Sequence, residues 1–520
     1  MKVLNNQEVP FYPSLINDYI NGDLNKKSII NWEYSESQIL ENTINRTFTQ
    51  TERVLLVNVL QNQYKKLDLT VSEKVSLKLL ENNSTFTITT GHQLNLLGGA
   101  QFFYTKILDV IRLSEKLTGS SNYDFVPVFW MATEDHDYDE ISYVNLFGKK
   151  ICCPGKNEGP VGRISNSYFT EFLEEIKTIL GDGGRFLEIK NIITRAFIEE
   201  DTLADITRSF VRSLFAEKGL LIIDGDDAAF KEKAAAFFIQ EIKEQTAFKK
   251  VNEQIKLLAD YKIQVNPREI NLFYIEDKIR TRIVKTDVGY STVNNQKNWT
   301  KSEFEFFVKN TPEFISPNVL LRPLYQEVIL PNVAYMGGAG EISYWLQLAP
   351  MFKAFNIQFP LPIVRTSYFV VPQKQVKWLG DLGIDFKDLF GNTDQLINDL
   401  IKRIGADEIS FFHEKQKLVV FYQDLLIKAK SISADLEKVI LGEEKRALVS
   451  LINLEKRFAN AEKKKHKQTI DKLQKIISKI FPNGSPMERV DSFIPLIATE
   501  DFNFPMAPNL FLGEIIIVSY

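Results

Sequence analysis

Residues 85–132 read TFTITTGHQLNLLGGAQFFYTKILDVIRLSEKLTGSSNYDFVPVFWMA, and this stretch decides the fold. TFTITT (85–90) is short and β-branched, bounded by the turn cluster Asn82-Asn83-Ser84 and by Gly91, as a strand should be. A glycine-rich loop follows. Residues 102–117 then place Phe103, Ile107, Val110 and Leu113 or Leu117 on one face of an amphipathic helix. FVPVFWMA (125–132) is almost wholly apolar. Strand, glycine loop, helix and apolar strand make a βαβ unit, and near-continuous apolar strands imply a parallel sheet covered on both faces.

Working outward, residues 1–84 read as a helical, polar N-terminal part of the core. GLLIID (219–224) is another buried strand, opening into a helix with an acidic first turn. LPIVRTSYFVV (361–371) reads as one further strand. Insertions at about 145–215 and 260–335 interrupt the core and carry β-like pieces such as NLFYIE and TRIVKT. The expected class is α/β, a doubly wound core over 85–375 with these insertions. Residues 376–482 change character. From 395 to 481 there is no proline and only Gly405 and Gly442, with apolar residues at helical spacing. A long antiparallel coiled-coil hairpin hinged at Gly442 is expected there, with dimerisation through it. Residues 483–520 would return to the core and end in a strand, EIIIVSY.

Composition excludes several classes. With 44 % hydrophobic and 25 % charged residues the chain is an ordinary globular protein. A net charge of −4 gives no reason to expect nucleic acid as partner. Two adjacent cysteines, Cys152 and Cys153, cannot form a disulfide framework and point to a reducing compartment. No secretory signal opens the sequence and no apolar run is long enough to span a membrane, so a cytoplasmic location is expected. The arm 442–480 holds 11 basic and 5 acidic residues, which reads as the solvated face of a coiled coil.

Three segments carry chemistry. In TGHQLNLLGGAQFFYTK, Thr90, Gly91, His92, Gln93, Gly98, Gly99 and Lys106 lie between a strand end and a helix start, where backbone N–H groups favour a phosphate or carboxylate. It is neither GxxxxGK[ST] nor GxGxxG, and glycines that only make a tight turn remain the alternative. In TEDHDYDE, Glu134, Asp135 and Asp137 surround His136 past an apolar strand, the ligand edge of an open α/β sheet. Such a histidine would favour its cation and serve as acid or base; a magnesium or zinc site or an acidic capping loop are the alternatives. In LPNVAYMGGAGEISYW, Asn332, Tyr335, Gly337, Gly338, Gly340 and Glu341 form a second glycine turn before a helix. Glu341 could read an amine, and Tyr344 and Trp345 could stack on a sugar or base, or be core. His413 and His466 fall on the hairpin surface.

These segments, with FYPSLINDYINGD (11–23) and AEKKKHKQTIDKL (461–473) running to FPNGSPMER (481–489), resemble the bacillithiol biosynthesis cysteine-adding enzyme family across essentially the whole chain. The resemblance implies a Rossmann-like core related to class I nucleotidyl-transferring enzymes, connecting-peptide insertions, and a coiled coil pairing two subunits. It also implies the last step of bacillithiol synthesis, attachment of L-cysteine to the amine of glucosaminyl malate. The acid must be activated, so ATP is expected as co-substrate, magnesium as a possible companion, and no redox cofactor. Residues 134–137 would then be catalytic, and Thr90 to Gln93, Gly98, Gly99, Lys106 and the 332–345 set would bind nucleotide or substrate. Arg322 and Arg365 are candidates to hold the malate dicarboxylate. Two other readings stay open: a nucleotidyltransferase-like enzyme acting on another amino acid, and a non-catalytic coiled-coil interaction protein with a degenerate core.

Overall fold

The computed structural model describes residues 1–155, 159–404, 410–499 and 502–520. It divides into two units, one of residues 1–370 with most of the C-terminal segment from 485, the other of residues 371–484. The first holds a five-stranded parallel sheet of β1 (Thr85–His92), β2 (Asp124–Met131), β3 (Leu221–Asp224), β4 (Asn332–Gly337) and β5 (Leu361–Val364). Their spatial order is β5-β4-β1-β2-β3. Sequence runs outward from β1 in one direction, then resumes on its other side at β4, which is the doubly wound order with its switch point between β1 and β4.

The sheet is apolar on both faces because helices cover both. Helix α1 (Gln101–Ser120) presents Phe103, Ile107 and Ile111 to Phe129, Met131 and Ile222. Helix α2 (Ala228–Glu244), capped by Asp227, presents Phe230, Ala234 and Phe238 to the opposite set, Val126, Val128 and Trp130. Alternation along β2 thus feeds two cores from one strand.

Three readings from sequence are corrected. LPIVRTSYFVV is two strands, not one: after β5 the chain turns, and Ser367–Val371 joins a separate sheet with Lys2–Leu4 and Ile515–Ser519. β4 itself lies inside the segment taken for a glycine turn, since NVAYMG is short and ends in the turn it feeds. The first insertion is mainly helical after a small hairpin, with helices Thr170–Leu180, Gly184–Glu199 and Leu203–Phe215. The second insertion does form a sheet, with Ile279–Lys285 in its centre beside Leu272–Glu276.

In the second unit, helix α3 (Phe412–Lys430) and helix α4 (Ala434–Lys465) run antiparallel. Lys415 pairs with Glu455 near one end and Lys430 with Glu437, at 3.7 Å, near the other. The turn falls at residues 431–433, not at Gly442. Ser433 accepts a hydrogen bond from Asp435 N and caps α4, whereas Gly442 sits within that helix. Gly405, the other glycine of this stretch, lies outside the described residues. Helix α5 (Lys467–Ile480) completes the arm and buries Leu473, Ile476 and Ile480.

Candidate active site

A cavity of about 710 Å³ opens at the switch point, bordered by Gly91 at the end of β1 and Gly338 after β4. Its volume is in the range of small-molecule sites. The chemistry-bearing residues converge there by topology: β1, β2 and β4 are parallel, so their carboxyl ends all face one edge. The second insertion supplies the facing wall through Leu272, Phe273 and Arg280.

Twelve of the residues singled out from sequence line this cavity, Arg322 and Arg365 among them. Gly91, His92 and Gln93 come from the end of β1 and the loop after it, and Glu134 and Asp135 from the acidic loop. Tyr335, Gly338, Gly340, Glu341 and Tyr344 come from β4 and the helix Ala339–Trp345. The others do not line it. Thr90 spends its hydroxyl on the Met336 carbonyl at 2.8 Å. Asn332 is buried in a polar knot with Thr87, Thr89 and Glu327. Gly337 is held by Arg365 N, which donates to its carbonyl. Trp345 is fully buried and stacks on Tyr335 at 4.1 Å, so it is core and cannot meet a sugar or base.

Within 91–99 only residues 91–93 line the cavity, and Gly98 and Gly99 do not. Gly98 and Gly99 have φ of +75° and +67°, and a Cβ on Gly98 would meet Phe103 at 2.5 Å. They let the chain pack tightly rather than let a ligand approach. The N-terminus of α1 is closed as well: Gln101 N donates to the Asp491 carbonyl at 2.7 Å, and Gln101 is fully buried. Lys106 is also buried, donating to the Gly91 carbonyl at 2.6 Å and pairing with Glu341 at 3.1 Å. Burial pulls its ammonium below its ordinary pKa, against the pull of Glu341. His92 packs against Phe102 and Phe103, and burial, with Lys106 and Arg365 nearby, holds it well below the ordinary histidine range. It is a neutral ring and offers no positive charge to a leaving phosphate.

The acidic loop resolves into distinct environments. Burial raises the Glu134 carboxyl above its ordinary range, opposed by Lys231, whose Nζ lies 2.8 Å from it. Lys231, fully buried, also pairs with Asp226 at 2.7 Å and donates to the Glu313 carbonyl. Asp135 is half-buried, which works against ionisation. His136, Arg280 and a hydrogen bond from Gln93 nonetheless hold it well below the usual carboxylate range. His136 is not ringed by carboxylates. Its Nδ1 lies 2.9 Å from Arg280 Nη1 and its ring packs by Phe273. The same Nδ1 lies 3.5 Å from Asp135 Oδ1. Asp137 is exposed and starts the short helix Tyr138–Ile141. Among the described residues no three His, Cys, Asp or Glu side chains are grouped to hold a metal ion. Both cysteines are free, Cys152 exposed and Cys153 buried, and neither lines the cavity.

Sequence reading missed most of the cavity's positive charge. Besides Arg322 and Arg365, four further arginines line it: Arg268, Arg280, Arg282 and Arg489. Arg280 and Arg282 are two apart on one strand and so share a face, a signal present in the sequence. Arg489 belongs to the returning tail, where its neighbour Glu488 binds Arg365 through two hydrogen bonds of 2.9 and 2.7 Å.

The fold and cavity define a Rossmann-like α/β protein with a coiled-coil arm and an arginine-lined cavity. Residues 1–366 match the family described as "Bacillithiol biosynthesis BshC, N-terminal Rossmann-like domain", and residues 368–505 match its "C-terminal coiled-coil domain". The chain belongs to this family. Among curated relatives, a Flavobacterium johnsoniae protein is 40 % identical over 93 % of this chain and 92 % of its own length. A Cytophaga hutchinsonii protein is 37 % identical over 90 % and 88 %, and a Bacillus cytotoxicus protein 25 % identical over 92 % and 91 %. All three carry the name "Putative cysteine ligase BshC".

Proposed function

We propose that this protein is a cysteine ligase that closes bacillithiol synthesis, joining the carboxylate of L-cysteine to the amine of glucosaminyl malate. Amide formation in water is uphill, so ATP would activate the carboxylate as an adenylate or acyl phosphate, and the amine would displace AMP or phosphate. The observation that carries the reading is one cavity holding carboxylates for ammonium groups, Glu134, Asp135 and Glu341, among six arginines for acids and phosphates.

The two loop carboxylates suit different tasks. Glu134, raised by burial, is the fitter proton acceptor for the attacking ammonium. Asp135 is held ionised by its partners and suits a fixed counter-charge for an ammonium in the ground state. Lys106 sets the position of Glu341 and of the Gly91 carbonyl at the same time. Magnesium, if used, would enter with the nucleotide phosphates as their counter-ion, and no side chain is assigned to it.

The coiled-coil arm leaves Val420, Phe421, Val439, Val449 and Phe458 exposed, which fits pairing with a second copy, to be checked by light scattering. The substrates are small molecules made where ATP and reduced thiols are found, which fits a cytoplasmic site of action. In the deciding experiment, purified protein is incubated with cysteine, glucosaminyl malate and ATP, and product is read by mass spectrometry. Bacillithiol with one AMP or ADP per amide is expected, and Glu134→Gln should lower the rate about 100-fold or more. Product with a different amino acid only, or an unchanged thiol pool in a gene deletion, would overturn the reading.

A further inference from the structure

The six cavity arginines are not equivalent. Arg280 is engaged at all three nitrogens: Nε donates to Ser316, Nη2 to the Pro317 carbonyl, and Nη1 contacts His136. Arg365 gives both terminal nitrogens to Glu488. Arg322 donates to Gln326 at 3.1 Å. Arg268, Arg282 and Arg489, by contrast, have no hydrogen bond or ion pair to another side chain among the described residues. A guanidinium that faces a cavity without a protein counter-charge is placed to take one from a ligand.

Two of the three belong to the second insertion. Arg282 is on the central strand of the insertion sheet, opposite Phe273 in the antiparallel register. Arg268 is on the loop leading into that sheet. Its side chain is free but its backbone is fixed: Arg268 N donates to Asn271 Oδ1 at 3.1 Å, and Asn271 Nδ2 returns a bond to the Arg268 carbonyl at 2.7 Å. Asn271 is itself buried and anchored to Glu241 and Asn318. Rigid backbones carrying free guanidinium groups are preorganised for an anion. Arg489 stands apart on the tail, near Arg365.

We propose that Arg268 and Arg282 form a subsite for a dicarboxylate, the malyl end of the amine substrate. The proposal deepens the ligase reading and rests on it for the identity of the acid. Paired anionic oxygens are also what a polyphosphate offers. Every cation in the lining is an arginine, whose planar fork suits carboxylate and phosphate alike, so the backbone decides for a dicarboxylate. The backbone N–H groups that would cradle phosphate are engaged: Gly338 N is taken by Glu341 and Gln101 N by the Asp491 carbonyl.

The test is calorimetric titration of the full-length protein with L-malate and, separately, with inorganic pyrophosphate, without turnover. Wild type should bind malate, and Arg268→Gln and Arg282→Gln should each weaken malate at least tenfold while pyrophosphate changes less than twofold. Melting curves check that the variants fold. No malate binding by wild type, or a malate shift under twofold in both variants, overturns the subsite. So does loss of pyrophosphate binding alone, which would assign the pair to phosphates. Binding of malate through these arginines in a protein that ligates nothing would keep the subsite and sink the ligase reading.

Discussion

Two turns in this molecule look alike in sequence and do opposite work. Residues 91–99 and 337–341 each follow a parallel strand, carry two or more glycines and run into a helix. In the first, Gly98 and Gly99 take up left-handed conformations against Phe103 and Asn95, and the helix start is sealed by the Asp491 carbonyl. In the second, a Cβ on Gly340 would meet nothing within 4 Å, and Gly338, Gly340 and Glu341 border the cavity. Glycine content alone does not mark a ligand loop. What separates the two is whether the space beside the missing side chain is filled by the protein itself.

Substitutions can break this comparison. The largest effect is expected for Gly98→Ala, where a left-handed φ and a 2.5 Å approach to Phe103 combine. Roughly 3–4 kcal/mol of stability should be lost, read as a fall in denaturation midpoint. A change under 1 kcal/mol would mean this turn is not packing-limited. Next is the knot beneath β4. Burial raises Glu327 to about 7, above its unfolded value near 4.5. Such a group contributes stability that is fully present below pH 4.5 and is lost as pH rises through about 7. Wild type should therefore lose about 2–3 kcal/mol between pH 5 and pH 8 that Glu327→Gln does not lose, measured by urea melts at both pH values. Equal slopes would show that Glu327 is not the titrating group.

Glu341→Gln ranks third. It strips a fully buried Lys106 of its counter-charge while keeping an oxygen for Gly338 N. Because the Glu341 side chain is 29 % exposed, the cost should be about 2 kcal/mol rather than the larger value of a fully buried pair. Gly340→Ala should do least. With open space and no left-handed φ, its melting temperature should stay within a degree or two of wild type or rise slightly. A fall of the size expected for Gly98→Ala would erase the distinction between the two turns.

The sequence made β1, α1 and β2 legible because period and apolarity agree there, and β3 because its apolar run ends in a capped helix. β4 was hidden because its six residues merge with the glycines they feed. The hairpin turn was misplaced because Gly442 is the more conspicuous residue, yet Ser433 with Asp435 is the true helix start. In the site, the carboxylates were visible as a cluster. The arginines were not, since Arg268, Arg282 and Arg489 reach one cavity from a loop, a strand and a tail.

The tail has a consequence for how the molecule comes into being during translation. Glu488 neutralises Arg365, the Asp491 carbonyl seals α1, Arg489 borders the cavity, and Ile515 to Ile517 pair with Leu4 to Lys2 at the opposite end of the chain. Glu488, Arg489, Asp491 and Ile515 to Ile517 do not exist until ribosomes have passed the whole coiled-coil arm. A nascent chain therefore holds most of the core without this wall, and Lys2–Leu4 must wait for Ile515–Ser519 to pair with. Closure of that longest loop sets a late, slow step in folding, and a polypeptide released early has no finished cavity to work with.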